Sequence, residues 1–277
     1  MKKFRKIYLE ISNLCNLKCG FCPGTKRPPH RMTELQFRTL LPKLQQWTDF
    51  LYFHIMGEPL CHPDLELFLQ LAHDAGFRVI LTTNGTLLSQ KQNILKQAPG
   101  LHMVNISLHA FEANDLAVPF QQYLHDCFSF GKALEGQKLI VYRLWNQGGA
   151  EELNDPILQT MENFFPKPWK EVRQGYAIGD RVFLEYGEKF DWPDLSAPEG
   201  NDRVFCYGLK DQIGILCDGS VVPCCLDHDG DLALGNLFHQ ELKDILDSPK
   251  AQGIAQGFAN RVACEELCRK CGYARRF

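Results

Sequence analysis

No apolar run in the 277 residues reaches the roughly 18 that a membrane-spanning helix needs. The basic start, Lys2-Lys3-Phe4-Arg5-Lys6, is followed at once by polar and acidic residues, so no signal-peptide core follows it. Nor is one charge in excess. Thirty Lys and Arg face 33 Asp and Glu, a formal net charge of −3, which argues against nucleic-acid or membrane binding driven by bulk charge. There is no internal repeat and no low-complexity stretch. With 45% hydrophobic and 23% charged residues, nothing in the composition suggests disorder. These absences predict a cytoplasmic chain with one large domain or two small ones.

Cysteine is scarce in the middle of the chain, where scattered core thiols would also fall. Of twelve cysteines, Cys61 and Cys127 alone lie between Cys22 and Cys206. Cys15, Cys19 and Cys22 form one group, and Cys206, Cys217, Cys224, Cys225, Cys264, Cys268 and Cys271 the other. A reducing cytosol excludes a disulfide scaffold, and a chain this long needs no staples. Metal ligation or catalysis remains, with Cys61 and Cys127 as buried thiols.

Apolar, β-branched or aromatic runs at 6–12, 50–56, 77–83, 103–108 and 139–144 read as strands. Helical periodicity fills the gaps. Thr33 and Glu34 open a helix with the stripe Leu35, Leu40, Leu41 and Leu44, and Pro63-Asp64 opens another that Gly76 ends. Segments 87–98, 119–134 and 155–165 read as three more. This alternation predicts a parallel α/β sheet, curved into a partial (β/α)6 TIM-like barrel. The flatter doubly wound form usually carries a Gly-rich phosphate loop after its first strand, and here that loop carries cysteines. A hairpin, a last strand near 182–190 and a linker at 193–201 follow. The remainder is a small cysteine-rich β-hairpin/helix domain, with Asp218-Gly219 as its turn. The expected domains are residues 1–195 and 196–277.

Cys15-Asn-Leu-Lys-Cys19-Gly-Phe-Cys22 directly follows the first strand. Three thiolates on one loop can wrap a single cubane cluster. A [4Fe–4S] cluster then keeps one iron without a protein ligand, and an open metal position is where a substrate or cosubstrate binds. The bland alternative is structural zinc with His30 as a fourth ligand, although zinc sites typically use paired C-x2–4-C units.

With Phe21 before its last cysteine, this C-x3-C-x2-C triplet resembles the radical S-adenosylmethionine (SAM) superfamily. The resemblance continues in order along roughly residues 5 to 190. His54-Ile-Met-Gly57-Glu58-Pro59 looks like the family's Gly-Gly-Glu motif, with Met56 for the first glycine. Thr82-Thr83-Asn84-Gly85 and Ile106-Ser107-Leu108-His109 resemble its later SAM-facing segments, with His109 where Asp is commoner. All would lie at strand C-terminal ends, the functional face of such a barrel. The resemblance implies a cluster on Cys15, Cys19 and Cys22, with SAM chelating the open iron. Reductive cleavage of SAM would give methionine and a 5′-deoxyadenosyl radical that abstracts hydrogen from a substrate. Phe21, Gly57, Glu58, Thr82, Thr83, Asn84, Ser107 and Arg143 would contact SAM, Arg143 through its carboxylate. His54, His62 and His109 lie near the expected mouth, where histidine can move protons.

Cys206, twelve residues, Gly219, four residues and Cys224 resemble the start of the SPASM cysteine motif. The tail, Cys264-x3-Cys268-x2-Cys271, is one cysteine short of two fully ligated clusters. It resembles the shortened version called twitch, which implies one auxiliary [4Fe–4S] cluster on Cys206, Cys224, Cys268 and Cys271. Cys217, Cys225 or Cys264 remain possible substitutes, and structural zinc suits four thiolates as well. A fully ligated cluster passes electrons. The implied function is therefore oxidation of a small molecule, in the manner of an aminoglycoside dehydrogenase. The chain starting at its first barrel strand leaves no room for the fused domain with which many peptide modifiers hold a leader. The implied partners are a small-molecule or peptide substrate and a flavodoxin- or ferredoxin-type electron donor, with no nucleic acid and no membrane. A peptide or protein maturase is the alternative enzyme reading. A redox or zinc-binding protein without turnover is the alternative from another class.

Overall fold

Strand and helix alternate as the apolar periodicity predicts. The computed structural model describes residues 3–198, 200 and 202–276. In chain order come β1 (Lys6–Leu9), α1 (Glu34–Leu44), β2 (Phe50–Phe53), α2 (Leu65–Asp74), β3 (Arg78–Thr83), α3 (Leu88–Gln97), β4 (Leu101–Ser107), α4 (Phe120–Ala133), β5 (Leu139–Gln147) and α5 (Asn154–Phe164). A hairpin of β6 (Lys170–Val172) and β7 (Gly175–Gly179) then leads into β8 (Val182–Glu188). Strands β1, β2, β3, β4, β5 and β8 are parallel neighbours in that order. This is the expected partial (β/α)6 barrel, with the hairpin inserted before its last strand.

Local chemistry explains the elements. The Thr33 hydroxyl accepts the Gln36 amide N–H at 3.2 Å, and the Gln36 side chain accepts the Thr33 amide at 2.8 Å, a reciprocal cap that starts α1. The buried stripe of α1 is Phe37, Leu40, Leu41 and Leu44. Leu35, expected in that stripe, is 76% exposed. A 3.6-residue period counted back from Leu41 and Leu44 turns Phe37 inward and Leu35 outward. Phe37 stacks on Phe68 of α2 at 4.2 Å.

Strand side chains alternate between two faces. Ile7, Leu9, Leu51, Phe53, Val79, Leu81, Ile140 and Tyr142 join the helices in one core. The intervening residues face the barrel interior and are more polar, among them Tyr8, Tyr52, Thr82, Asn105, Arg143 and Glu185.

The C-terminal part holds β9 (Gln212–Ile215), β10 (Ser220–Val222), β11 (Gly235–Asn236), α6 (Leu242–Leu246), α7 (Pro249–Ala259) and α8 (Glu266–Arg269). The expected hairpin is β9–β10, turned at Asp218-Gly219. Periodicity does not reveal its partner. β9 pairs in parallel with β1, from Lys6↔Gln212 to Leu9↔Ile215. One eleven-stranded sheet results, ordered β11-β10-β9-β1-β2-β3-β4-β5-β8-β7-β6. Of the expected linker, Glu199 and Asn201 lie outside the described residues, as do Met1, Lys2 and Phe277 of the expected domains. No helix among the described residues is long and apolar enough to cross a membrane.

Candidate active site

The chain leaves β1 into a loop that Asn13 closes at its neck. Asn13 Nδ2 donates to Pro28 O at 2.9 Å, and its Oδ1 accepts the His30 amide at 2.8 Å. The C-x3-C-x2-C triplet lies inside this loop. Cys15 and Cys22 are exposed and Cys19 is half-buried. Amide N–H groups point at the sulfurs. Asn114 Nδ2 donates to Cys19 Sγ at 3.1 Å, and the Leu17 amide donates to Cys15 Sγ at 3.4 Å. Burial pushes the Cys15 thiol up to about 11 and raises Cys19, against the pull of the Asn114 donor. Donors aimed at sulfur favour thiolate, the form a cluster binds. Asn114 is missed by sequence reasoning, since it stands four residues beyond Ala110 with no motif around it. Its Nδ2 also bonds Ala110 O and its Oδ1 accepts the Lys18 amide. His30, the alternative zinc ligand, sits at the neck with Nε2 unpartnered.

The strand ends beside this loop carry the other sequence-predicted residues, and the structure gives them distinct roles. Phe21 is partly exposed, with its ring 5.0 Å from that of His109. Gly57 has φ +77, and a Cβ there would stand 2.3 Å from Ser12 O and 2.8 Å from Leu14 O. Glycine is thus needed for the cysteine loop to pass over the end of β2. Gly57→Ala is expected to destabilise the fold by about 3 kcal/mol in urea titrations.

Glu58 is buried with both oxygens engaged. Oε1 accepts the Leu60 amide at 3.0 Å and Oε2 the Asn84 amide at 2.8 Å. Burial pushes its carboxyl up to about 7, and these amides oppose the shift. Glu58 therefore ties the end of β2 to the end of β3. Thr83 is likewise engaged, accepting the Gly85 amide at 3.1 Å. Asn84 Nδ2 bonds Asn16 Oδ1 at 2.9 Å, beside Cys15 Sγ at 3.9 Å. Thr82 lies on the inner face, where Asn105 Nδ2 donates to its hydroxyl at 3.3 Å. Ser107 ends β4 in register with Arg143. Of the three histidines, His62 has both ring nitrogens bonded, to Met32 O and the Asp64 amide. His109 packs on Phe21 with Nδ1 against Arg143 O at 3.1 Å. His54 faces the interior with Nδ1 unpartnered. Cys127 is fully buried and Cys61 half-buried.

Four cysteines of the second group line one cavity. Cys206, Cys224, Cys268 and Cys271 all line it, with Phe205, Phe258 and Leu267 among the apolar lining. Burial raises all four thiols. Four half-buried thiols around an apolar cavity suit coordination better than solvation. Cys217, Cys225 and Cys264 do not line it. Cys264 is exposed, Cys225 packs against the hydrophobic cluster that holds Tyr8, and Cys217 is buried beside Arg27, 3.7 Å from Nη1. Asp227 also lines the cavity, a residue that no motif marks. Among the described residues, no three His, Cys, Asp or Glu side chains converge as a single-ion site. The four thiols share the lining of one cavity.

A buried carboxylate joins the two regions. Glu10 Oε2 accepts Arg27 Nη2 at 2.8 Å and the Met56 amide at 3.1 Å, while Oε1 accepts the Cys217 amide at 3.1 Å. Arg27 Nε reaches His228 O at 2.8 Å, and Asp229 holds the Thr25 hydroxyl at 2.6 Å and the Lys26 amide at 2.9 Å. The segment following Cys22 is thereby fastened to the C-terminal part.

Residues 9–126 match the radical SAM superfamily, and residues 206–272 match SPASM, an iron–sulfur cluster-binding domain. A SAM-dependent 2-deoxy-scyllo-inosamine dehydrogenase from Niallia circulans is 29% identical over 117 residues, 39% of this chain and 46% of that protein. An AdoMet-dependent heme synthase from Methanosarcina barkeri is 30% identical over 112 residues, 39% of this chain and 32% of that protein. The chain thus matches less than half the length of these relatives. Among solved structures, BtrN with AdoMet and 2-DOIA has TM-score 0.64 at 19% identity, covering 98% of this chain and 94% of that one. Streptococcus suis SuiB bound to S-adenosylmethionine has TM-score 0.66 at 17% identity, covering 99% and 72%. With both domains found in this order on a partial barrel of the same fold, residues 9–126 form a radical SAM domain and residues 206–272 a C-terminal SPASM iron–sulfur cluster-binding domain.

Proposed function

We propose that this chain is a radical SAM oxidoreductase acting on a small molecule. Residues 1–195 would perform the SAM chemistry and residues 196–277 would remove an electron. The reading rests on one observation: three thiols share a neck-closed loop at the barrel's functional end, while four others line a separate cavity. A [4Fe–4S] cluster bound at the first site supplies reductive cleavage of SAM and hence hydrogen abstraction, and one at the second accepts an electron.

The chain's own residues would do the rest. Cys15, Cys19 and Cys22 hold the first cluster, and Asn114 donates to one of its thiolates. Backbone at Met56 and Gly57 receives the SAM ammonium group. Phe21 offers a ring edge to adenine, and Thr82 and Ser107 offer hydroxyls to the rest of SAM. Glu58 and Thr83, spent on backbone amides, set the cradle's shape, and Asn84 keeps Asn16 beside Cys15. Cys206, Cys224, Cys268 and Cys271 hold the auxiliary cluster, and the first electron comes from a flavodoxin- or ferredoxin-type donor. The dehydrogenase among the relatives supports oxidation of a small molecule as the outcome.

Anaerobic reconstitution with iron and sulfide tests this. About eight irons per chain are expected, as two four-iron clusters require. With dithionite and SAM the protein should then form 5′-deoxyadenosine. Zinc at both sites with SAM left intact would overturn the reading. Cys268→Ala is expected to lower the iron content to about four while sparing uncoupled SAM cleavage. Equal loss of both would sink the separation of roles.

A further inference from the structure

We propose that the inner wall of the barrel binds a small molecule through its carboxylate, with Arg143 as the group that grips it. This rests on the function proposed above and gives the substrate class for that same site.

Arg143 projects from β5 into the barrel, where its guanidinium lies 4.4 Å over the Trp145 ring. The carboxylate paired with it, Glu185 Oε2, stands 3.6 Å from Nε. That is an ion pair beyond hydrogen-bond reach, so Nε makes no hydrogen bond. A guanidinium keeps its N–H groups in a rigid fork, and a carboxylate is the acceptor that matches it with two parallel bonds. Two further buried atoms on this wall lack partners, His54 Nδ1 after β2 and Asn105 Oδ1 on β4. Three of the six such atoms among the described residues thus share one surface. Native proteins leave few buried polar atoms unpaired, so three on one inner face point to a ligand.

Aromatic faces and a second cation complete the wall. The Tyr8 and Tyr52 rings are 5.1 Å apart, and His54 meets Tyr8 edge-on at 5.1 Å. Lys6 Nζ lies 5.6 Å from the Tyr52 ring centre. Burial, with Arg143 and Lys6 nearby, holds His54 down to about 3, so its ring is neutral near pH 7 and offers a hydrogen bond, not a charge. Facing these groups are the carboxylate of Glu185 and, beside Lys6, that of Asp211. The wall suits a compact polar molecule with one anionic end.

Its position also fits. Cys225 packs against the hydrophobic cluster that holds Tyr8, and it follows Cys224 of the auxiliary cavity. At the other end, His109 touches both Phe21 of the cysteine loop and the Arg143 carbonyl. A molecule on this wall lies between the two cysteine sites. SAM also carries a carboxylate, so the test separates the two sources.

The reconstituted protein is screened without oxygen, by saturation-transfer NMR, against lactate, malate and glutamate, each paired with its methyl ester. The acids should bind at least about tenfold more tightly than the esters, as loss of a charge-assisted pair predicts. Arg143→Gln should weaken acid binding about tenfold while the SAM Kd, from equilibrium dialysis, changes less than about twofold. Equal binding of acids and esters overturns the proposal. So does weakened SAM binding with acid binding unchanged, which would give Arg143 to the cosubstrate. The acid–ester contrast in the unaltered protein decides the matter even if the variant does not fold. Failure of the SAM chemistry would leave that contrast in place, so the two failures read differently.

Discussion

Cys19→Ala should reduce SAM cleavage to background, a loss of at least about a thousandfold, or about 4 kcal/mol of barrier. Only three thiols stand on the loop, so a cluster there has no spare ligand to lose. Cys19 is also the most sheltered of the three and the one to which Asn114 donates at 3.1 Å. The loop's neck is closed by Asn13, not by the cysteine, so circular dichroism and the melting temperature should change little. Iron content should fall by about four, while the C-terminal cavity keeps its own cluster. Cys264→Ala is the control, because this exposed thiol does not line the cavity; its iron content and SAM cleavage should match the unaltered protein. If Cys19→Ala still cleaves SAM, the loop is not the cluster site.

Glu10→Ala is expected to cost about 3–5 kcal/mol of stability, the usual result of deleting one partner of a buried ion pair. Glu10 is fully buried and Arg27 nearly so, at 11% exposure. The substitution strands the guanidinium and two backbone amides, those of Met56 and Cys217, away from water. Glu10→Gln keeps the shape and one acceptor and should recover about half of the loss. Urea titration measures the energies. Hydrogen exchange at residues 12–31 then separates local loosening from global unfolding, because Arg27 and Asp229 fasten that segment. Faster exchange confined to those residues and to 217–229 is the expected pattern. Unchanged exchange there would show that Glu10 does not fasten the loop to the C-terminal part.

The barrel was legible because its signals are local. Each strand is a short apolar run, and each helix has its own stripe, cap or terminating glycine, as Thr33 and Gly76 show. The thiols were legible because cysteine is rare and its spacing along the chain is short. The folded chain brings Cys206, Cys224, Cys268 and Cys271 to one cavity. What escaped was long-range or inward-turned. The pairing of β9 with β1 joins segments that no periodicity connects. Asn114 and Glu10 act through partners distant in sequence, and a single Asn or Glu carries no signature. Glu58 lies in a recognisable motif, yet only the folded chain shows both its oxygens turned onto backbone amides.

The β1–β9 pairing also bears on how the protein emerges from the ribosome. β1 is made well before β9, and one of its edges stays bare until 212–215 have been synthesised. Until then an apolar strand exposes unpaired amides and carbonyls, a template for association with other chains. Closing that edge requires a contact of very long sequence separation, which slows folding. Nascent chains arrested before residue 212 should therefore depend on chaperones to remain monomeric, and chains released past β10 should not.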